Sequence, residues 1–558
     1  MTEWTSLRRD SGRILDYVLL TAMWAVMTWI ANPIANIPLN DDWTYAVSVK
    51  ALVEDGRFFF LTEWANKTLV AHVLWGALFC LPFGFSYNAL RVSQLAAGLI
   101  GIFALYKLCL ELGASRRVAL LCAATLLANP LYFQIANSFM TDIDFTAFTT
   151  LAVLWIVRGL FRRASAWTIT GWTLLVLTVW VRELAAMIPA GYAAFKVYVE
   201  GFRRSAIAKA ILPGIVILIL LIIHQKVMVE WLGFPNLDNP RTNAGANKLM
   251  EKPLRFFMNI PGRTVHLFLY IGLYSLPFVP WMRTKTENRH AHKVGVIAAT
   301  AFAVLMVIGM FMRGMIMPLL NNSLGSIGLG PFTLRDAFLL HLPNLPTGPV
   351  WPWVIVTLVG LWAGAKVVQF VVTLLFDVCV KSKEKRAEPR RALTFFLLAA
   401  TAFYSLLMVT SGFYDRYLLI YIPMTAALFA LNSENVVNHV KSLTVFSYVV
   451  IGFFCIYGAL STHDYISWNR VRWELVGKLT NQMGVTPQQL DGGYEVNGSL
   501  NFLQEKTMSD DKSWWWVTDD EYMITFGAVP GYEIIEKRPF PNYMFGDDAS
   551  VCILKRVE

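Results

Sequence analysis

Runs of about twenty apolar residues recur along almost the whole chain, and no other feature narrows its fold so far. A run of that length spans the roughly 30 Å hydrocarbon core of a bilayer as one helix. Such runs lie near residues 14 to 36, 88 to 110, 117 to 133, 143 to 160, 165 to 181, 184 to 200, 207 to 231, 264 to 282, 294 to 318, 350 to 379, 392 to 410, 416 to 433 and 442 to 460. They predict an α-helical polytopic membrane protein with about thirteen transmembrane helices. Composition agrees, because only 15% of the 558 residues are charged, against roughly 25% in soluble domains. The first run is long enough to span and has no convincing small-residue cleavage site after it, so it reads as the first transmembrane helix.

The net charge of +10 would suit a nucleic-acid partner only if it were gathered on one surface. Instead the basic residues fall in short clusters between apolar runs: Arg8, Arg9 and Arg13, then Arg116 and Arg117, Arg158 with Arg162 and Arg163, Arg203 and Arg204, Arg283 to Lys293, and Lys381 to Arg391. With alternating spans they all fall on one side, which the positive-inside rule makes the cytoplasm. The expected location is the cell's inner (plasma) membrane, with the N-terminus cytoplasmic.

The other side receives residues 37–87, the turn at 134–144, 232–263, 319–349 and the tail. Residues 68–82 are apolar but short, and a full span there would break the charge register, so an interfacial or re-entrant segment is expected. Two domains follow from this layout: a membrane domain over 1–460 and a small extracytoplasmic α/β domain over 461–558. The tail combines helix-like "DYISWNRVRWELVGKLTNQM" with strand-like "EYMITF" and "SVCILKRV". Six cysteines without CxxC spacing indicate neither a zinc site nor a disulfide framework.

Carboxylates on the external side are the candidate chemistry. Asp41 and Asp42 stand directly after the first span, and Asp142 and Asp144 form an acidic turn with no basic residue between Arg117 and Arg158. Ordinary turn and helix-cap residues would explain each pair alone. Two acidic clusters on one membrane face favour convergence into a carboxylate-lined site, because a deep acidic turn needs solvent or a partner.

Four short motifs then resemble those of polyprenyl-phosphate-sugar-dependent glycosyltransferases with the GT-C fold, the superfamily of protein O-mannosyltransferases and of the lipid A aminoarabinose transferase. "NDDWTY" is similar to the family's Asp-Glu-x-x-Tyr, placing Asp41 on the catalytic Asp, Asp42 on the Glu and Tyr45 on the Tyr. "NKTLVAHVLWG" resembles Glu-Lys-Pro-Pro, with Lys67 on the Lys, Asn66 and Thr68 replacing the Glu and first Pro, and Glu63 just upstream. "FMTDIDF" looks like the Met-Thr-Asp turn, with Asp142 on its acidic residue, and "YDRYLLIYIP" resembles Arg-Tyr-x-Leu-x-x-x-Pro. The tail stretches "DYISWNRVRW" and "QLDGGYEVNG" also look like recurrent bacterial features, without assignable chemistry.

The resemblance implies inverting transfer of a sugar from a polyprenyl-phosphate donor to an envelope glycolipid, glycan or protein. Such transfer needs a base for the acceptor hydroxyl and stabilisation of the leaving phosphate. Asp41 is the expected base, with Asp42 beside it raising its proton affinity and Asp142 as the third catalytic carboxylate. Lys67 is the first choice for the phosphate through its motif; Arg241, Lys248, Arg182 and Arg416 are candidates by sidedness alone. Tyr45, Glu63 and Asp144 are expected to contact substrate.

No organic cofactor is called for and no metal site is assigned, although acidic clusters of this kind bind hard divalent cations. His72 and His266 read as satisfied structural residues. Of Trp514, Trp515 and Trp516, at least one is expected in a core, with sugar stacking or interfacial anchoring as the alternatives. A transporter of lipid-linked sugars is the competing class. Transporters place functional charge at the bilayer midplane and use repeats, whereas here the acids gather at one interface.

Overall fold

The computed structural model describes residues 11–61, 69–162, 164–227, 230, 251–283, 288–314, 316–320, 322–346, 348–379, 382–432, 441–502 and 515–557. Its helices are α1 (Ser11–Ala31), α2 (Asp42–Asp55), α3 (Val70–Cys80), α4 (Tyr87–Glu111), α5 (Arg116–Ala128), α6 (Pro130–Ala136), α7 (Thr141–Arg162), α8 (Ser165–Val179), α9 (Met187–Glu200) and α10 (Arg204–Lys226). They continue as α11 (Pro253–Tyr274), α12 (Arg289–Arg313), α13 (Trp351–Val378), α14 (Pro389–Ser411), α15 (Tyr421–Asn432), α16 (Lys441–Gly477) and α17 (Tyr494–Asn501).

Among the described residues, eight helices are long and apolar enough to cross a membrane, or nine if the bent pair α5–α6 is one span. This is a multi-pass membrane protein, but about thirteen full crossings are more than these helices establish by themselves. The other four expected spans fall on α8, α9, α11 and α15. Three of these have only 15, 14 and 12 residues, roughly 18 to 23 Å of helix. The fourth, α11, is 22 residues long and carries Arg255, Arg263 and an internal Pro261, which dilute its apolar content.

The bend between α5 and α6 is 58° and has a local cause. Pro130 has no N–H to continue the ladder and forces Asn129 out of helical geometry; Asn129 Oδ1 then caps α6 by accepting Tyr132 N–H at 3.0 Å. The apolar stretch at 68–82 becomes α3, only 11 residues long and too short to span, which packs with α2 around Val49, Val73, Ala77, Leu90 and Phe139.

Burial orders the bundle. About 72% of the most apolar stretch of α7 and 61% of that of α4 is buried by protein, against 17% for α10 and α12. The first pair is therefore central and the second presents its side chains outward, as lipid-facing helices do. At one end the basic clusters meet acidic partners: Arg116 pairs with Asp16 at 2.7 Å, Arg158 with Glu111 at 3.1 Å, and Arg391 with Asp377 at 3.9 Å.

The tail forms a four-stranded sheet in the order β1-β2-β4-β3, from β1 (Leu490–Asp491), β2 (Tyr522–Thr525), β3 (Tyr532–Pro539) and β4 (Ser550–Arg556). The β1–β2 pair is parallel and the other two are antiparallel. The expected strands "EYMITF" and "SVCILKRV" are β2 and β4. Residue 460 lies inside α16, a 37-residue helix that continues into the tail and buries Trp468, Val471 and Leu475 against Ile524, Phe526 and Ile553. Ala35, Leu39 and Leu334 belong to the same cluster, so the tail shares its core with loops of the membrane portion. All six cysteines are free.

Candidate active site

The loop after α1 is drawn into place by one buried guanidinium. Arg91, on the first turns of α4 and 2% exposed, donates to the carbonyls of Pro33 (3.0 Å), Ala35 and Ile37, and to that of Asn137 (3.1 Å). One side chain thus ties the segment leading to Asp41 to the segment leading to Asp142. A cation without a carboxylate in contact is tolerated there because four carbonyl dipoles surround it.

Asp42 adds a second tie. Its Oδ1 accepts the Leu39 N–H at 2.7 Å and its Oδ2 the Phe139 N–H at 3.4 Å. The carboxyl is 1% exposed, so the residue expected as a catalytic neighbour of Asp41 is a buried group that closes the turn and holds the 139 segment. Burial pushes its pKa up to about 8, outweighing the charge of Arg91 and the two N–H donors. An acid whose folded pKa lies above its unfolded value costs stability as pH rises from about 4, where the unfolded group ionises, to about 8. Asp42→Asn should therefore gain thermal stability relative to wild type between pH 5 and pH 8 in detergent melts; a difference in Tm that does not change with pH would remove this assignment.

Asp41 is left to face the opposite way. Asn40 adopts a left-handed conformation (φ 55°), which Asn tolerates better than most residues. Asp41 precedes α2 without capping it through its side chain. Its Oδ2 instead accepts Arg416 Nη2 at 3.0 Å and its Oδ1 accepts the hydroxyl of Tyr494 at 2.7 Å.

Arg416 extends the cluster, with Nη1 3.9 Å from Asp142 Oδ2. The other Asp142 oxygen pairs with Arg182 Nη1 at 2.8 Å, and the Arg182 guanidinium lies 4.6 Å over the ring of Tyr417. The result is a chain Tyr494–Asp41–Arg416–Asp142–Arg182 drawn from five segments. Along it Asp41 is 25% exposed, Arg182 12%, Arg416 6% and Asp142 1%, so Asp41 is its most accessible carboxylate.

Each member is held from behind. Asp415 accepts the backbone N–H of Ser323 (2.9 Å), Leu324 (2.7 Å) and Arg416 (2.7 Å), fixing the turn that presents Arg416. Asp142 occupies the first turn of α7, where the helix dipole favours an anion. Two buried polar atoms of the cluster, Asp142 Oδ2 and Arg416 Nε, make no hydrogen bond. Buried polar atoms are normally paired, so these two mark the cluster as incompletely satisfied.

The remaining expected residues divide sharply. Asp144 does not reach the cluster: its Oδ2 meets His72 Nδ1 at 2.5 Å with both side chains fully buried, and His72 stacks on Phe139 at 4.0 Å. Asp144 thus locks α3 to α7 and is closed to substrate. Tyr45 lies on α2, edge-on to His72 at 5.5 Å and within electrostatic reach of Asp41, Arg416 and Arg182. His266 is half-buried on α11 and lines a separate apolar cleft with Pro261, Val265, Leu305 and Met306. Lys67, Glu63, Arg241, Lys248 and Trp514 lie outside the described residues. Trp515 and Trp516 are each 1% exposed and pack with Trp43, Tyr494 and Phe502, a core role rather than sugar stacking. Among the described residues no three His, Cys, Asp or Glu side chains converge as for a metal, and Arg416 lies between Asp41 and Asp142.

Tyr494 was the residue that sequence reasoning passed over, although "QLDGGYEVNG" carried the signal. Asp491 Oδ1 accepts Gly493 N–H (3.1 Å) and Asn497 Nδ2 (2.8 Å), while Asn497 Oδ1 accepts Gly492 N–H (2.9 Å). Gly493 has φ 85°, and a Cβ there would come within 2.4 Å of the Thr333 carbonyl. Only glycine lets this turn lie flat against the 319–349 loop and aim Tyr494 at Asp41.

Fold and site together define a polytopic membrane protein with alternating carboxylates and guanidiniums at one end of its bundle, completed by its C-terminal tail. No family model matches the chain and no curated protein matches it. Among solved structures it is similar to the crystal structure of ArnT from Cupriavidus metallidurans bound to undecaprenyl phosphate, at 12% identity and a TM-score of 0.39, covering 98% of each chain. The apo state of ArnT from Cupriavidus metallidurans is similar at 10% identity and a TM-score of 0.35, over 98% of this chain and 99% of that one. At this level of likeness the reaction has to be read from the chain's own side chains.

Proposed function

We propose that the protein is an inverting glycosyltransferase that moves a sugar from a polyprenyl-phosphate carrier to an envelope acceptor at the external face of the bacterial inner membrane. The observation that carries this reading is the partly exposed Asp41 in contact with the buried Arg416. A base and a phosphate-binding cation are the two groups that this displacement requires. In the reaction the acceptor hydroxyl passes its proton to Asp41 while its oxygen bonds to the anomeric carbon. The bond from that carbon to the phosphate oxygen breaks, and polyprenyl phosphate departs with the electron pair. Attack opposite the leaving group inverts the anomeric centre.

Asp41 is already engaged by Arg416 and Tyr494. Each carboxylate oxygen has two lone pairs, so an acceptor hydroxyl can still bond without displacing either neighbour. Arg416 and Arg182 bring fixed positive charge to the place where the leaving phosphate gains negative charge, and a preorganised cation of this kind needs no rearrangement during the step. The anionic Asp142 between them keeps two guanidiniums together that would otherwise repel.

The test is transfer by the purified protein in vesicles supplied with polyprenyl-phosphate-linked sugars and envelope lipid, with the anomeric configuration of the product read by NMR. A product of inverted configuration is expected. Movement of the lipid-linked sugar across the bilayer without any glycosylated product would overturn the reading in favour of a carrier.

A further inference from the structure

We infer that the tail dipeptide Tyr494–Glu495 is a positioning device for Asp41, so that the C-terminal domain completes the reaction centre instead of merely covering it. The inference rests on the glycosyltransferase reading above and adds to it the part of the chain that sets the orientation of the base.

Two adjacent residues hold the same point of the loop by different means. Tyr494 donates its hydroxyl to Asp41 Oδ1 at 2.7 Å. Glu495 Oε1 accepts the N–H of Asn40 at 2.9 Å, the left-handed residue immediately before Asp41. The first contact orients the carboxylate and the second fixes the backbone that carries it. A single rotation about the Asn40–Asp41 segment would break both.

Glu495 is itself immobilised. Its Oε2 accepts from Thr333 Oγ1 at 2.5 Å and from Arg472 Nη1 at 2.8 Å, and both members of the Glu495–Arg472 pair are fully buried. Arg472 projects from α16, the helix that runs from the bundle into the tail, and its guanidinium lies 5.0 Å over Trp468. The position of Asp41 is therefore referred to α16 through Arg472, Glu495 and Asn40. Tyr494 is packed into the aromatic cluster of Trp43, Trp515 and Trp516, so its hydroxyl has little freedom either.

This arrangement gives Asp41 two donors of different kinds. Arg416 supplies charge from the turn between α14 and α15, and Tyr494 supplies a neutral hydroxyl from α17. Among the described residues, other titratable groups near this point include Tyr45 from α2, Tyr465 from α16 and Asp42, with Asp142, Arg182 and Tyr417 around Arg416. A carboxylate that loses one donor holds its proton more tightly, which makes the pH profile of turnover a readout that simple loss of packing would not move.

The experiment uses the full chain in vesicles with the polyprenyl-phosphate-sugar donor that the wild type consumes, comparing Tyr494→Phe, Glu495→Gln and Asp41→Asn. Tyr494→Phe keeps the ring and its packing, so it should melt near the wild type while kcat falls about tenfold, KM for the donor stays within twofold, and the acid limb of kcat moves to higher pH. Glu495→Gln sets an amide against Arg472 and should lower kcat in the same sense. If Glu495→Gln fails to fold, Tyr494→Phe still decides. A Tyr494→Phe protein with wild-type kcat and an unmoved acid limb, while Asp41→Asn is inactive, overturns the positioning role and leaves the glycosyltransferase reading standing. Full transfer by Asp41→Asn would overturn that reading itself, and the positioning inference with it.

Discussion

Asp41→Asn should reduce sugar transfer by roughly a hundredfold to ten-thousandfold, the range associated with losing a general base, while the protein folds and inserts normally. The amide keeps the shape of the side chain and one acceptor oxygen, so the hydrogen bond from Arg416 or from Tyr494 survives. What disappears is the capacity to take a proton from the acceptor hydroxyl. Asp41 itself is 25% exposed, but its neutralisation leaves the buried Arg416 with Asp142, 3.9 Å away, as its remaining ion-pair partner among the described residues, so a loss of stability smaller than that of Arg416→Ala should accompany the loss of transfer. Initial rates of transfer and a thermal melt, measured on the same preparation, separate the two effects. A variant that melts like the wild type and transfers at the wild-type rate would remove Asp41 from the chemistry.

Arg416 should produce the other large effect, and here the conservative substitution is the informative one. Arg416→Ala would leave Asp142 buried beside Arg182 alone and Asp41 facing only Tyr494; breaking a buried ion pair from one side costs about 3 to 5 kcal/mol, so loss of folded protein would confuse the result. Arg416→Lys keeps the charge but replaces a planar fork by a point donor, which cannot reach Asp41 at 3.0 Å and face Asp142 at 3.9 Å together. Transfer should fall about a hundredfold, and binding of the proposed polyprenyl-phosphate leaving group by the purified protein about tenfold, as expected for losing one charge-assisted contact. Undiminished binding of a polyprenyl phosphate by a folded Arg416→Lys protein would take the leaving-group role away from Arg416.

These two expectations differ in how far the sequence anticipated them. Asp41 and Asp142 stood out because their motifs sit next to apolar runs, and counting spans and basic clusters leads to the expectation that both lie on the external side. Arg416 was visible as the Arg of "YDRYLLIYIP" and as one basic residue among several on the same side. Which acids it meets could not be read there, because its position depends on Asp415 fixing a turn against Ser323 and Leu324, some 90 positions earlier in the chain. The surroundings of Asp42 and Asp144 were hidden for a related reason. Adjacent or alternate carboxylates look alike in a sequence, yet helix geometry turns successive side chains by 100°, so Asp42 faces Leu39 and Phe139 while Asp144 faces His72.

The tail illustrates the same limit on a larger scale. Two of its four strands, β2 and β4, could be read from strand-like runs, but β1, β3 and the tail's relation to the membrane portion could not. The turn "DGGYEVNG" fits only when the Thr333 carbonyl lies against Gly493 and Asn40 stands opposite Glu495. Both partners come from distant loops.

By itself, then, the sequence determined the solvent in which the chain folds, the rough order of its apolar helices and the two acidic turns beside them. Those properties depend on local composition and on the period of a helix, which act over tens of residues. The tertiary structure alone decided which carboxylate remains accessible, which guanidinium stands beside it, and that a tyrosine more than 450 positions away completes the group. These are matters of a few ångströms between segments remote in sequence, set by buried ties such as Arg91 and Glu495, whose partners are mostly backbone groups that carry no sequence signature.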